Sequence, residues 1–493
     1  MSNKIEKWGL MEAQFQGPKD GNPFQEVKLT AVFSCEEKQI NVNGFYDGDG
    51  VYKIRFMPDK VGSWSFTTSS NAQKLAGLKG NFECTESSFD NHGPVRVKQK
   101  FHFEYEDGTA YYPFGTTCYA WIHQTKELQE KTLETLKSSP FNKIRMCVFP
   151  KHYIYNNNEP ELYPYEGSLE EGFDYTKFNP KFFKHLEERI LDLQKLNIEC
   201  DLILFHPYDR WGFSNMGKEN DDRYEEYIVA RLSAYRNLWW SMANEYDIFI
   251  DNFSKEKTKT VDDWERLGGI IHNNDPYNHL ISIHNCLKFY DYKKLWITHC
   301  SMQRIDLYKT SENTDDWRRI YGKPIVIDEC AYEGNINHGW GNITGQEMTR
   351  RFWEGTVRGG YVGHGETYVH PKDILWWSHG GELHGTSPER IAFLRNIVEA
   401  APGPINPLEV SKEFGFNPFW DVTVGTVGED YYLFYFGFSQ PAFRTFSMPE
   451  GKKYKVDIID TWDMTIKEAG IYSGDFCIDM PGKQYIAVRM TAN

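Results

Sequence analysis

Between Gln25 and Thr67 apolar and polar residues alternate with a period of two. Val27, Leu29, Ala31 and Phe33 form one such series, Tyr52, Ile54 and Phe56 a second, and Trp64 and Phe66 a third. The glycine-rich segment Gly44 to Gly50 and the breakers Pro58 and Gly62 separate them. Period-two runs between turn clusters read as half-buried antiparallel strands, and their number suits a small antiparallel β-sandwich over residues 1–91.

From Val95 to Ala401 the pattern changes to short apolar runs separated by helical periodicity. Eight runs are predicted as strands: Tyr112 to Thr116, Lys143 to Phe149, Glu199 to His206, Asn237 to Ala243, Leu280 to His284, Trp296 to Cys300, Pro324 to Glu329 and Gly360 to His364. The clearest helix places Phe182, Leu186, Ile190, Leu193 and Leu196 on one face. Eight βα units imply a (β/α)8 TIM barrel over residues 92–402. A doubly wound open sheet is the competing architecture, but no Gly-x-Gly-x-x-Gly follows a strand. After the stiff segment Ala401-Pro402-Gly403-Pro404, alternation returns at Tyr431 to Phe438, Tyr454 to Ile458 and Tyr485 to Met490. A second β-sandwich over residues 403–493 is expected, giving an α/β protein with a β-domain on each side of the barrel.

Composition narrows the chemistry. The formal charge is -15, from 70 acidic and 55 basic residues. Such a surface repels nucleic acid and anionic membranes, so neither is an expected partner. No apolar run reaches the roughly 18 residues of a membrane span. The N-terminus lacks the apolar core of a signal peptide, and the nine cysteines are scattered singly. Unpaired spacing of that kind suits reduced thiols in a cytoplasm. Aromatic residues make up 16% of the chain, an excess compatible with faces that stack on sugar rings.

In a barrel the C-terminal strand ends converge whatever their separation in sequence, so polar residues there are the candidates for chemistry. The fourth predicted strand ends in Asn244-Glu245 and the seventh in Asp328-Glu329. An amide beside a carboxyl suits binding of the sugar hydroxyl next to the reacting carbon while the acid protonates the leaving oxygen. Strand alternation sends Asp328 and Glu329 to opposite sides; Glu329 is assigned to the cleft and Asp328 to a local pairing. Arg145, inside an apolar run, needs a carboxylate partner. His206, His284, His299 and His364 end other predicted strands, with Glu366 close behind the last. They are read as ligands for sugar hydroxyls, with metal binding as the alternative. Tyr119, Trp121, Trp211, Tyr332, Trp340, Trp376 and Trp377 are the candidate cleft aromatics, with Trp376 or Trp377 as the platform under the first sugar.

This combination resembles the clan A retaining glycoside hydrolases: Asn-Glu on the fourth strand, a glutamate on the seventh and an arginine on the second. The layout is similar to the apiosidase-like members, through Gly44 to Gly50, Phe56-Met57-Pro58, Pro113 to Thr117, Asn244-Glu245 and Ile327-Asp328-Glu329, and implies that the sandwich over residues 1–91 is immunoglobulin-like. The resemblance implies a double displacement on an oligosaccharide, plant-derived in this reading. Glu245 is then general acid/base, Glu329 nucleophile, Asn244 a hydroxyl ligand and Arg145 support for the nucleophile. Two carboxyls about 5 to 5.5 Å apart are what that chemistry requires. Tyr246-Asp247 follow Asn-Glu where the clan often has proline.

No cofactor and no resident metal are expected. The competing readings are a metal-dependent hydrolase or isomerase built on the strand-end histidines, and a carbohydrate-binding barrel without catalysis. The flanking β-domains are expected to scaffold the barrel or to build a homo-oligomer interface.

Overall fold

A computed structural model describes residues 4–249, 257–306, 308–371, 375–408 and 419–493. Its centre is an eight-stranded parallel barrel with strands β1 (Gly115–Thr117), β2 (Lys143–Cys147), β3 (Glu199–Phe205), β4 (Leu238–Ala243), β5 (Ile281–Ser282), β6 (Cys300–Gln303), β7 (Ile325–Glu329) and β8 (Tyr361–His364). The sheet runs in the order β5-β4-β3-β2-β1-β8-β7-β6. A parallel bridge between His284 and Ser301 and a 2.9 Å hydrogen bond from the Thr298 N–H to the Ile281 carbonyl close it between β5 and β6. Every residue of β2, β3, β4 and β7 is buried, as expected of parallel strands covered by helices outside and packed side chains within.

The helix Pro180–Lys195 shows how local sequence sets these elements. The Asn179 side chain accepts from the Lys181 N–H, Pro180 occupies the first turn, and Phe182, Leu186, Ile190 and Leu193 are buried against the barrel.

Before the barrel, a five-stranded and a three-stranded sheet pack face to face around Phe33, Phe56, Trp64 and Phe82, with the Phe33 and Phe56 rings stacked 4.0 Å apart. After it, a six-stranded antiparallel sheet and a two-stranded ribbon enclose Phe434, Phe446, Tyr454 and Val456. Both are tied to the barrel by buried polar contacts. Arg55 donates to Glu187 at 2.6 and 2.9 Å, and Arg231 to Asp47 at 2.6 Å. On the other side Thr423 donates to Glu354 at 2.8 Å and Trp353 stacks on Tyr435.

Two features depart from the expected pattern. A three-stranded antiparallel sheet (Val95–Lys98, His102–Tyr105, Ala110–Tyr111) precedes β1 and sends Phe103 against Trp239, His299 and Tyr361. It plugs the N-terminal mouth of the barrel. The sixth strand lies later than expected, at Cys300–Gln303 rather than Trp296 to Cys300. The apolar Trp296-Ile297 pair lies ahead of it. The strand itself carries the polar Ser301 and Gln303, so hydrophobicity points to the wrong residues.

Candidate active site

The site forms where β4 ends. Asn244 continues the ladder, its N–H donating to the Phe205 carbonyl at 2.9 Å, and Glu245 then turns into the left-handed region at φ 55°, ψ 54°. That conformation costs a side chain with a Cβ roughly 1–2 kcal/mol, and such strain is typical of functional positions. Regular alternation would send neighbouring side chains to opposite faces. The left-handed turn lets both Asn244 and Glu245 reach one cavity, which Glu329 at the end of β7 also lines. Opposite Glu329 the β6–β7 register shifts between Met302 and Gln303, which brings Gln303 into the same wall.

The two carboxyls are held differently. Glu329 Oε1 accepts from the Tyr119 hydroxyl and from Arg145 Nη1 at 3.3 Å. Arg145 Nη2 also reaches Asn244 Oδ1 at 3.2 Å, so one guanidinium braces the amide and the carboxylate together. Glu245 Oε2 accepts from the Asn244 amide at 3.1 Å, and the Tyr208 hydroxyl and Cys286 thiol face the same carboxyl. Burial, followed by the charge of Glu329, raises the Glu245 pKa above its ordinary value against the opposing pull of Lys151.

Behind this layer lies a buried charge network. Lys143 Nζ sits 2.6 Å from Asp201 and 2.8 Å from Asp328, which also accepts from Ser301 at 2.5 Å. Burial opposes ionisation of Asp328, but the charges of Lys143 and Arg145 outweigh it and hold the group well below the usual carboxylate range. Asp328 is therefore ionised and fully engaged inside the barrel, while its neighbour Glu329 faces the cavity.

The cavity has a volume of about 460 Å³. Trp377 lies in its wall, with ring centroids 5.0 Å from Trp340, 5.3 Å from Tyr153 and 5.7 Å from Tyr119. Gln303 Oε1 and Trp377 Nε1 are buried in its wall without a hydrogen-bond partner among the described residues. Buried polar atoms in that state mark positions where a polar ligand would complete the bonding. Lys151, Tyr153, Tyr155, Tyr208, Cys286 and Gln303 line the cavity although none stood out in the sequence. The available signal was the aromatic density just after β2, in Phe149-Pro150-Lys151-His152-Tyr153-Ile154-Tyr155.

A family model described as the apiosidase-like catalytic domain matches residues 97–397. The chain belongs to the apiosidase-like family. Two models described as domains of unknown function match the flanking regions, DUF5060 at residues 4–71 and DUF5605 at 420–491. The apiosidase-like chain is 41% identical to a Bacteroides vulgatus ATCC 8482 protein whose crystal structure describes it as a candidate glycoside hydrolase. The match covers 100% of both chains with a TM-score of 0.93. It also shares its fold with a family 5 glycoside hydrolase from the same organism, at 15% identity over 82% of this chain and 93% of the other, TM-score 0.62. No curated protein matches it.

Several residues expected in the cleft of this apiosidase-like barrel lie elsewhere. His299 falls at the N-terminal start of β6, because that strand is displaced along the sequence, and its ring packs edge-on to Phe103 and Trp239 at the plugged end. His206 is buried with Nε2 3.1 Å from the Phe149 carbonyl, and burial pushes its pKa down to about 3. His364 turns away from the cavity, with Nδ1 3.0 Å from Thr116 Oγ1 and the ring stacked on Phe141. Glu366 accepts from the His384 backbone N–H, anchoring the chain that leads into the helix Ser387–Glu399. Trp121 donates to Met146 Sδ in the core and Trp376 donates to Thr116 Oγ1 at 2.9 Å. Trp211 also stays outside the cavity wall, whereas Tyr119, Tyr332, Trp340 and Trp377 line it. Of the strand-end histidines, His284 alone approaches a cavity carboxyl, with Nε2 3.9 Å from Glu329. Among the described residues, no three His, Cys, Asp or Glu side chains converge to hold a metal ion.

Proposed function

We propose that the chain is a retaining glycoside hydrolase acting on an oligosaccharide, with Glu329 as nucleophile and Glu245 as acid/base. The observation that carries this reading is the pair of carboxyls on β4 and β7 lining one cavity, each in a different electrostatic setting. Arg145 and Tyr119 donate to Glu329 and hold its carboxyl in the cavity wall as the attacking group. Burial and the Glu329 charge favour the protonated form of Glu245. A raised carboxyl acting as acid beside a second carboxyl acting as nucleophile is how one site runs both roles together.

In the first step the Glu329 carboxylate attacks the anomeric carbon as Glu245 gives its proton to the departing glycosidic oxygen. In the second, Glu245 takes a proton from water, which attacks the same carbon and releases Glu329. One N–H of the Asn244 amide is held by Glu245, and the other is available to the adjacent sugar hydroxyl. Trp377 stacks on the ring in the site. The nine free cysteines favour a cytoplasmic location, and the Bacteroides relative favours a bacterial cell. The flanking β-regions are read as scaffold, through residues 1–91 and 403–493, and as the surfaces available for a homo-oligomer.

The test is Glu329→Ala with azide. Turnover is lost, and azide restores it by occupying the vacated side of the sugar, giving a glycosyl azide of inverted anomeric configuration. A Glu329→Ala enzyme with full activity removes Glu329 from the mechanism.

A further inference from the structure

Three lysines are buried in the described structure: Lys143, Lys151 and Lys259. Lys143 is matched by Asp201 and Asp328, and Lys259 by Asp221 at 2.6 Å. Lys151 differs. Among the described residues no carboxylate lies within ion-pair distance of it. Its ammonium rests instead over aromatic faces, 3.6 Å from the ring centroid of Tyr119, 4.3 Å from Tyr208, 4.9 Å from Tyr153 and 5.5 Å from Trp377. Those four rings and Lys151 itself all line the cavity of Glu245 and Glu329. Arg145, the other cation nearby, is taken up by Glu329, Asn244 and the aspartates behind it.

A buried ammonium ordinarily needs a counter-charge; the charges of Glu245 and Glu329 act on Lys151 from beyond ion-pair distance, and they and the aromatic faces offset its burial only in part, so burial still lowers its pKa. A site built for a neutral sugar has no need of that cost, because hydroxyls are satisfied by amides and hydroxyls. Position says which sugar unit the charge would read. Lys151 lies over the Tyr119 ring, whose hydroxyl donates to Glu329, and over the Tyr208 ring, whose hydroxyl faces Glu245, so it stands beside the sugar unit whose anomeric carbon lies between the two carboxyls. Resting on the glycosidase reading above, we propose that this unit is a uronic acid, whose carboxylate forms an ion pair with Lys151.

The experiment compares 4-nitrophenyl glycosides that differ only at C6, glucuronide with glucoside and galacturonide with galactoside, in both anomers, together with the 6-sulfated hexosides. A uronide exceeds its neutral partner in kcat/KM by tenfold or more. Lys151→Met lowers that ratio at least tenfold, and Lys151→Arg recovers part of it. Equal turnover of acidic and neutral partners, a preference for the 6-sulfate, or an equal loss on both substrates in Lys151→Met overturns the proposal. Calorimetric binding of glucuronic and galacturonic acid against glucose and galactose to the wild-type protein separates the two readings. Selective uronate binding without hydrolysis of any glycoside sinks the glycosidase assignment alone, whereas binding with no preference for uronates sinks this one.

Discussion

Tyr119 carries more of the site than its place in the sequence suggests. Its hydroxyl donates to Glu329 and lies 2.9 Å from Asn244 Oδ1, while its ring lies beneath Lys151. A hydrogen bond to a charged group contributes about 1.5–3 kcal/mol, so Tyr119→Phe should lower kcat by roughly 10- to 100-fold while the melting temperature stays near wild type. Steady-state kinetics and a thermal melt check both halves; unchanged kcat would mean the hydroxyl does not act on the nucleophile. Glu245 makes a pH prediction. Its protonated form is needed for the first step and its pKa is raised, so activity should persist above the ordinary carboxyl value of 4.5 before falling on the alkaline side. In Glu245→Gln, assayed with activated leaving groups, that alkaline limb should vanish. The same limb in both enzymes would assign it to another group.

At the scale of the element, β3 shows how a strand start can store a pH dependence. Glu199 is buried at its first residue, accepts from Trp239 Nε1 at 3.0 Å, and desolvation raises its pKa to about 8. A carboxyl raised in the folded state contributes stability that is present in full below its unfolded value near 4.5 and is lost as pH rises toward 8. Glu199→Gln keeps the acceptor and removes the charge. It should flatten the fall in melting temperature between those limits and melt higher than wild type at the upper end. A variant that follows the wild-type curve would show that Glu199 does not titrate in that range. Elements also explain which expectations failed. The polar residues that let β6 face the interior, Ser301 and Gln303, hid its position, and its displacement along the sequence carried His299 to the wrong end of the barrel.

The whole molecule is joined through charge. Arg55, Glu187, Arg231 and Asp47 link the first sandwich to the barrel helices, and Glu354, Thr423 and Arg358 link the barrel to the last sheet. Buried pairs of this kind are costly to break, because separation leaves charges without partners. Calorimetric unfolding should therefore give one endotherm rather than a transition for each β-region. A resolved early transition would show that a flanking region melts independently.

The sequence by itself determined the order of the three regions and most of the barrel strands, since period-two and apolar-run patterns are local properties of the chain, but not the small sheet ahead of β1 or the place of β6. It also pointed to Asn244, Glu245, Arg145 and Glu329, because strand ends in a barrel must share one mouth. Only the tertiary structure decided which side chains enter the cavity. His206, His364, Glu366 and Trp376 all sit at or beyond strand ends, and the direction each takes depends on packing partners distant in sequence. Lys151 was invisible for the same reason: a lone lysine in a loop acquires meaning only when four aromatic rings from four segments close around it with no carboxylate of the described residues within ion-pair distance.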